Sequence, residues 1–151
     1  MAGLLTPELM AHIGRTAAPR RELVTRRDIR KYAVATGQRL GKFLAGDEAP
    51  PMFYIALFWD VVELDQLQPD GISADTLIPE FPLKRAMAGG LKIDFHRPMH
   101  PGDRVVARRT LTDIYEKEGS SGPLIFYEVT TNVDTEDGEQ VLTERATRIL
   151  R

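Results

Sequence analysis

The sequence predicts an α+β domain in which a helix-bearing first half is laid against a curved antiparallel sheet. Three observations predict it. From residue 91 onward, apolar and polar side chains alternate in four runs, the period-two signature of strands with one buried face. The links carry turn residues: residues 118–123 contain two glycines, and Glu136-Asp137-Gly138 holds the Asp-Gly pair that tolerates positive φ in tight hairpins. Upstream, helix-start signals and three- and four-residue apolar spacing dominate instead.

Taken in order, Thr6-Pro7-Glu8 supplies an N-cap and a first-turn proline for a short helix that stops near Gly14. Residues 21–24 form a short first strand. Thr25, with Asp28 three residues later, caps a helix over 26–36 that Gly37 ends. On it Ile29, Tyr32, Ala33 and Thr36 share one face, while Arg26, Arg27, Arg30 and Lys31 lie toward the other. Residues 38–51, with Gly41, Gly46 and Pro50-Pro51, form a loop. Residues 52–64 are too continuously apolar for an exposed element and predict a buried helix after a short extended entry. Phe53, Phe58 and Trp59 then belong to the core or to the wall of an apolar tunnel.

Pro69-Asp70-Gly71 marks a turn, and the segment around Pro79 and Pro82 an extended loop. Leu91, Ile93 and Phe95 alternate with Lys92, Asp94 and His96 in a first long strand; residues 104–115, 124–135 and 140–150 give three more. In 124–135, Ile125, Tyr127, Val129, Thr131 and Val133 point one way and Leu124, Phe126, Glu128 and Thr130 the other. Consecutive strands joined by hairpins form an antiparallel meander, and the upstream helices are the only cover for its apolar face.

Composition sets further bounds. A chain of 151 residues is one domain, able to bury roughly 70% of the surface its unfolded form exposes. Twenty Lys and Arg against 22 Asp and Glu give a net charge of -2, so no overall field draws it to nucleic acid or an anionic membrane. The absence of cysteine removes disulfides, thiolate metal sites and a cysteine nucleophile, and a reducing cytoplasm is the expected compartment. Leu4 and Leu5 soon meet Pro7 and Glu8, so no signal peptide builds up, and residues 52–64 fall short of the roughly 20 a membrane span needs.

The most specific signal is an ordered series of motifs. Pro82-Leu83-Lys84-Arg85-Ala86-Met87-Ala88-Gly89-Gly90 leads to His96-Arg97-Pro98-Met99-His100-Pro101-Gly102-Asp103, and then to Glu116-Lys117-Glu118-Gly119-Ser120-Ser121-Gly122-Pro123. The series resembles the amino-terminal half of MaoC-like and mesaconyl-CoA-type acyl-thioester hydratases, where a Gly-Gly pair, a Pro-x-x-x-Gly-Asp turn and a Lys-Glu-Gly-x-Ser-Gly hairpin punctuate three strands. Residues 30–37, the Pro-Pro-x-Phe of 50–53 and the Leu-x-Pro-Asp-Gly of 67–71 are similar as well. The resemblance implies a single hot-dog fold, an antiparallel sheet wrapped around helix, over residues 1–151 as an amino-terminal-type domain.

It also implies addition or removal of water across the 2,3-bond of an acyl thioester, which needs an acid and base near those carbons and donors for the thioester oxygen. The family places the acid and base in Asp-x-Asn-Pro-x-His; here the equivalent residues read Gly37-Gln38-Arg39-Leu40-Gly41-Lys42-Phe43. An amide does not titrate and an exposed lysine stays protonated. No catalytic residue is therefore expected in this chain, which resembles the half that shapes the site for a catalytic one.

Expected binding residues are Gly89 and Gly90, whose bare backbone can approach a thioester carbonyl. Lys84 and Arg85, and the cluster of Arg26, Arg27, Arg30 and Lys31 near a helix start, are expected to hold coenzyme A phosphates. Neither a metal nor a cofactor is expected: Pro98 and Pro101 keep His96 and His100 off one helix face, leaving His96 an outward strand residue and His100 a turn residue. His12 is expected at the surface, and Gly102-Asp103 as a turn with Asp103 accepting backbone bonds. The expected partners are an acyl-CoA thioester and a catalytic MaoC-like subunit in a hetero-oligomer, or a second copy in a homodimer; fatty acid metabolism is the expected setting. The alternatives are a homodimeric acyl-CoA binding module without catalysis and a hot-dog thioesterase using Asp47 or Glu48.

Overall fold

The computed structural model describes residues 3–151. Thr6 accepts from the Leu9 amide and starts α1, Pro7–Met10. Strand β1, Arg20–Leu23, follows, and then α2, Arg26–Ala35, whose cap Thr25 accepts from Asp28. The side of α2 carrying Ile29 and Ala33 is buried, and Arg26, Arg27, Arg30 and Lys31 are exposed, as the spacing predicts. Two short helices complete the first half, α3, Gly41–Leu44, and α4, Phe53–Leu57.

The sheet is built from β1 and four long strands: β2, Ala86–Phe95; β3, Arg104–Gly119; β4, Gly122–Thr135; and β5, Gln140–Leu150. All pairings are antiparallel, in the order β1-β3-β4-β5-β2. The alternation predicted for β4 holds: Ile125, Val129, Thr131 and Val133 are buried, while Leu124, Phe126, Glu128 and Thr130 are partly exposed.

Four sequence expectations need correction, the first being that residues 38–51 are all loop, since they hold α3. The meander runs only through β3, β4 and β5; β2 pairs with β5 at the far edge, because its link to β3 carries Pro98 and Pro101 and is anchored across to the β4–β5 hairpin. There Arg97 reaches Asp103 at 2.5 Å and Glu139 at 2.9 Å. Nor does β2 bury one face: Leu91 and Phe95 are 50% and 47% exposed and only Ile93 is half-buried, since no layer covers this edge. Finally, the helix predicted for 52–64 stops at Leu57, because Asp60 is held outside it by Arg20 and Ser73. Phe53 is core, but Trp59 is 61% exposed rather than buried.

The apolar core lies on the concave side of the sheet in two clusters. One gathers Val24, Ile29, Phe53 and Met99 over Ala107, Val133 and Leu142. The other gathers Leu77 and Phe81 over Leu111, Ile125, Val129 and Leu150. What separates them forms the candidate site.

Candidate functional site

Three successive rows cross the concave face. Ala107, Val133, Leu142 and Phe95 pair across in one, and Leu111, Val129, Ala146 and Leu91 in another. Between these apolar rows lies a polar one: Arg109 pairs with Thr131, Thr131 with Glu144, and Glu144 with Ile93. Its members share the parity of the core residues on each strand, so period-two alternation delivers a guanidinium and a carboxylate between two apolar rows.

Over this row opens a cleft of about 680 Å³, floored by Arg109, Thr131, Glu144 and Ala146 and walled by Tyr54, Phe58 and Trp59 on one side and residues 88–91 on the other. Its charges are organised. The Tyr54 hydroxyl donates to Glu144 Oε2. Arg109 forks onto Asp75, Nη1 to Oδ1 at 3.2 Å and Nη2 to Oδ2 at 2.6 Å. Arg20 and Ser73 both donate to Asp60. Arg148, two residues beyond Ala146 and paired with Ala88, also lines the cleft and has no carboxylate partner among the described residues.

Ionisation follows these contacts. Burial, reinforced by the hydrogen bond to Glu144, raises Tyr54 well above the ordinary phenol, so it remains a donor. Burial opposes the charge of Arg109, but Asp75's hydrogen bonds and the nearby Asp60 and Glu144 outweigh it and raise the guanidinium further. The Ser73 hydrogen bond, with Arg20 and Arg109 nearby, holds Asp60 below its ordinary value. A charged row between apolar clusters is costly to desolvate, and such placements are concentrated where a ligand is met.

Of the residues singled out in the sequence, Gly89 and Gly90 line this cleft. They sit in a bulge of β2 where the register slips between Ala88 and Gly90. A Cβ on Gly89 would lie 2.8 Å from Ile149 Cγ1, so packing accounts for that glycine; a Cβ on Gly90 would meet nothing within 4 Å. Lys84 and Arg85 precede the strand: Lys84 reaches Glu80 at 3.4 Å, and the Arg85 backbone pairs with Arg151 at the sheet end. Arg26 and Arg30 lie on α2, Arg26 bonding Asp47 and the Ala45 carbonyl. The structure thus brings the glycines to the cleft and leaves both basic groups outside its lining.

A second hollow, of about 460 Å³, lies beside α3 between Lys42, Phe43, Pro50, His96 and Met99. Lys42 bonds Glu48 at 2.6 Å and lies 5.1 Å from the centre of the Phe43 ring. His96 and His100 are exposed, His100 Nε2 lying 3.9 Å from Glu48, while His12 is half-buried rather than fully at the surface, its Nδ1 3.4 Å from Arg15. Asp103 accepts from the His100 amide at 2.8 Å, as the turn requires. Tyr54, Asp75, Arg109, Glu144 and Arg148 were not singled out by the sequence. The available signal was a charge at a core-parity position, Arg109 between Ala107 and Leu111 and Glu144 between Leu142 and Ala146.

Residues 11–144 match the family described as "FAS1-like, dehydratase domain region". The chain is 31% identical over 121 residues to mesaconyl-C(4)-CoA hydratase of Chloroflexus aurantiacus, covering 80% of this chain and 43% of that protein. It therefore spans less than half the length of this curated relative. Among solved structures, the ChsH1-ChsH2 complex of Mycobacterium tuberculosis is similar with a TM-score of 0.69 at 18% identity, over 95% of this chain and 86% of that one. A MaoC-like dehydratase of Phytophthora capsici matches with a TM-score of 0.67 at 18% identity, over 97% of this chain and 50% of the other. The two structures share the hot-dog fold with it, and on the family match the chain belongs to the FAS1-like, MaoC-like dehydratase domain family.

Proposed function

We propose that this chain is the amino-terminal-type, non-catalytic subunit of an acyl-thioester hydratase or dehydratase, acting on acyl-CoA or an acyl carrier and completed by a hot-dog partner that brings the acid and base. The observation that carries it is a site retained without its chemistry. The cleft and the bare Gly89-Gly90 backbone are present, yet where the family's Asp-x-Asn-Pro-x-His carries Asp and His this chain holds Gln38, whose side-chain amide bonds Thr36 at 3.5 Å, and the buried, apolar Phe43. In this assignment the Gly89 and Gly90 amides face the thioester oxygen, Arg148 supports the charge that develops on it, and Lys84, Arg85, Arg26 and Arg30 are left for coenzyme A phosphates. Fatty acid metabolism is the natural setting for such a subunit.

The free edge of β2 supports the need for a partner. Ten residues long, exposed on both faces and carrying Met87, Leu91 and Phe95 at 38%, 50% and 47% exposure, it is the kind of edge that isolated proteins blunt or cover. ChsH1-ChsH2 is itself a complex of two proteins. The same edge suits a second copy, which gives the alternative of a homodimeric thioester-binding module.

The test is hydration of a 2-enoyl-CoA by the chain alone, and by the chain mixed with the hot-dog protein that copurifies with it. The expected result is no rate alone and a rate in the mixture. A comparable rate from the chain alone overturns the division of labour, and saturable thioester binding with no rate in any mixture selects the binding module.

A further inference from the structure

Resting on that assignment, we infer that the Arg109–Thr131–Glu144 row selects acyl groups that carry a hydroxyl well beyond the thioester, over plain alkyl chains of the same length.

The row lies across a path that a hydrocarbon would follow from the glycine bulge along β5. An acyl group entering from the glycine bulge and running along β5 passes Ala146 and the apolar row before it reaches Glu144. Gly90 pairs with Thr147 and Ile93 with Glu144, so three residues of strand separate the two levels, roughly 10 Å. At that depth an alkyl chain would strip water from a carboxylate and a guanidinium and return no hydrogen bond. A hydroxyl replaces that water. Glu144 spends one acceptor position on Tyr54 and keeps the others, and the Thr131 side chain lines the same floor with no hydrogen-bond partner among the described residues.

Charge separates a hydroxyl from a carboxylate. Around the row, Arg20 is engaged by Asp60 and Arg109 by Asp75, which leaves the carboxylate of Glu144 without an ion-pair partner among the described residues. An anionic acyl terminus is repelled there, whereas a neutral donor is drawn to Glu144. Arg148 lines the hollow beside Asp75, Arg109, Thr131 and Glu144 and balances the total charge, so the discrimination rests on the unpaired carboxylate of Glu144 that the acyl terminus meets.

Equilibrium binding of ω-hydroxyoctanoyl-CoA, octanoyl-CoA and the mono-CoA thioester of octanedioic acid to the full chain, with its copurifying partner, tests the inference. The hydroxylated thioester is expected to bind at least about tenfold tighter than octanoyl-CoA, since a site whose polar groups a bound chain would cut off from water rejects an analogue that leaves them unpaired. The dicarboxylic thioester is expected to bind more weakly than the hydroxylated one. Thr131→Val, nearly isosteric, should narrow the preference over octanoyl-CoA several-fold, and Glu144→Gln should improve binding of the dicarboxylic thioester, with circular dichroism confirming that both variants fold. Equal or tighter binding of octanoyl-CoA, or a preference unmoved by both substitutions, overturns the selectivity and leaves the proposed function standing. Failure of all three thioesters to bind removes the proposed function and the selectivity together.

Discussion

Gly89 and Gly90 are neighbours that differ in what a methyl group would do. Gly89→Ala forces its Cβ to 2.8 Å from Ile149 Cγ1, and the expected loss is about 1–3 kcal/mol of stability, seen as a lower urea midpoint. Gly90→Ala meets open space and should leave the unfolding free energy within about 0.5 kcal/mol of the parent. Tyr54 offers a second test. Its phenol keeps its proton in the fold, while in the unfolded chain it ionises near the ordinary value of 10.0. Its contribution is complete below that pH and is lost as pH rises above it, because only the unfolded state gains the charge. Tyr54→Phe should flatten the alkaline decline of the thermal midpoint, and at neutral pH should cost about 1–3 kcal/mol by leaving Glu144 without its donor.

At the scale of elements, β2 is the exposed one. Leu91→Lys places a charge on an edge strand at a half-exposed site, so it should disrupt assembly, read by sedimentation, while leaving the thermal midpoint of the separated chain nearly unchanged. The helix and strands with sustained period were legible: α2 from Thr25, Asp28 and the Ile29/Ala33 spacing, and β3 to β5 from alternation and the turns between them. Residues 52–64 were not, because a run of apolar residues does not reveal that Asp60 is drawn to Arg20 on β1, forty positions earlier in the chain. The charges at core-parity positions 109 and 144 were visible, but that they form one row was not, for a related reason. Arg109 and Glu144 meet only through the register of β4, and register is a property of paired strands rather than of either sequence alone. The glycine pair was legible as a pair, but the division between a packing glycine and an open one depends on Ile149, which lies on another strand.

For the molecule as a whole, the acid limb of stability has an identifiable contributor. Asp60 is held below its ordinary value of 3.8 chiefly by Ser73, so its contribution is present above that pH and lost as pH falls through the lower folded value. Asp60→Asn should make the thermal midpoint less sensitive to pH in that acid range. The divided core carries a larger consequence. Val24 and Ile125 belong to different clusters, so their truncations to alanine should be additive within about 0.5 kcal/mol, each end loosening without consulting the other. A molecule lodged in the gap would act as a keystone: with both ends braced against it, the same two truncations would become coupled, and the melting transition would sharpen as well as rise.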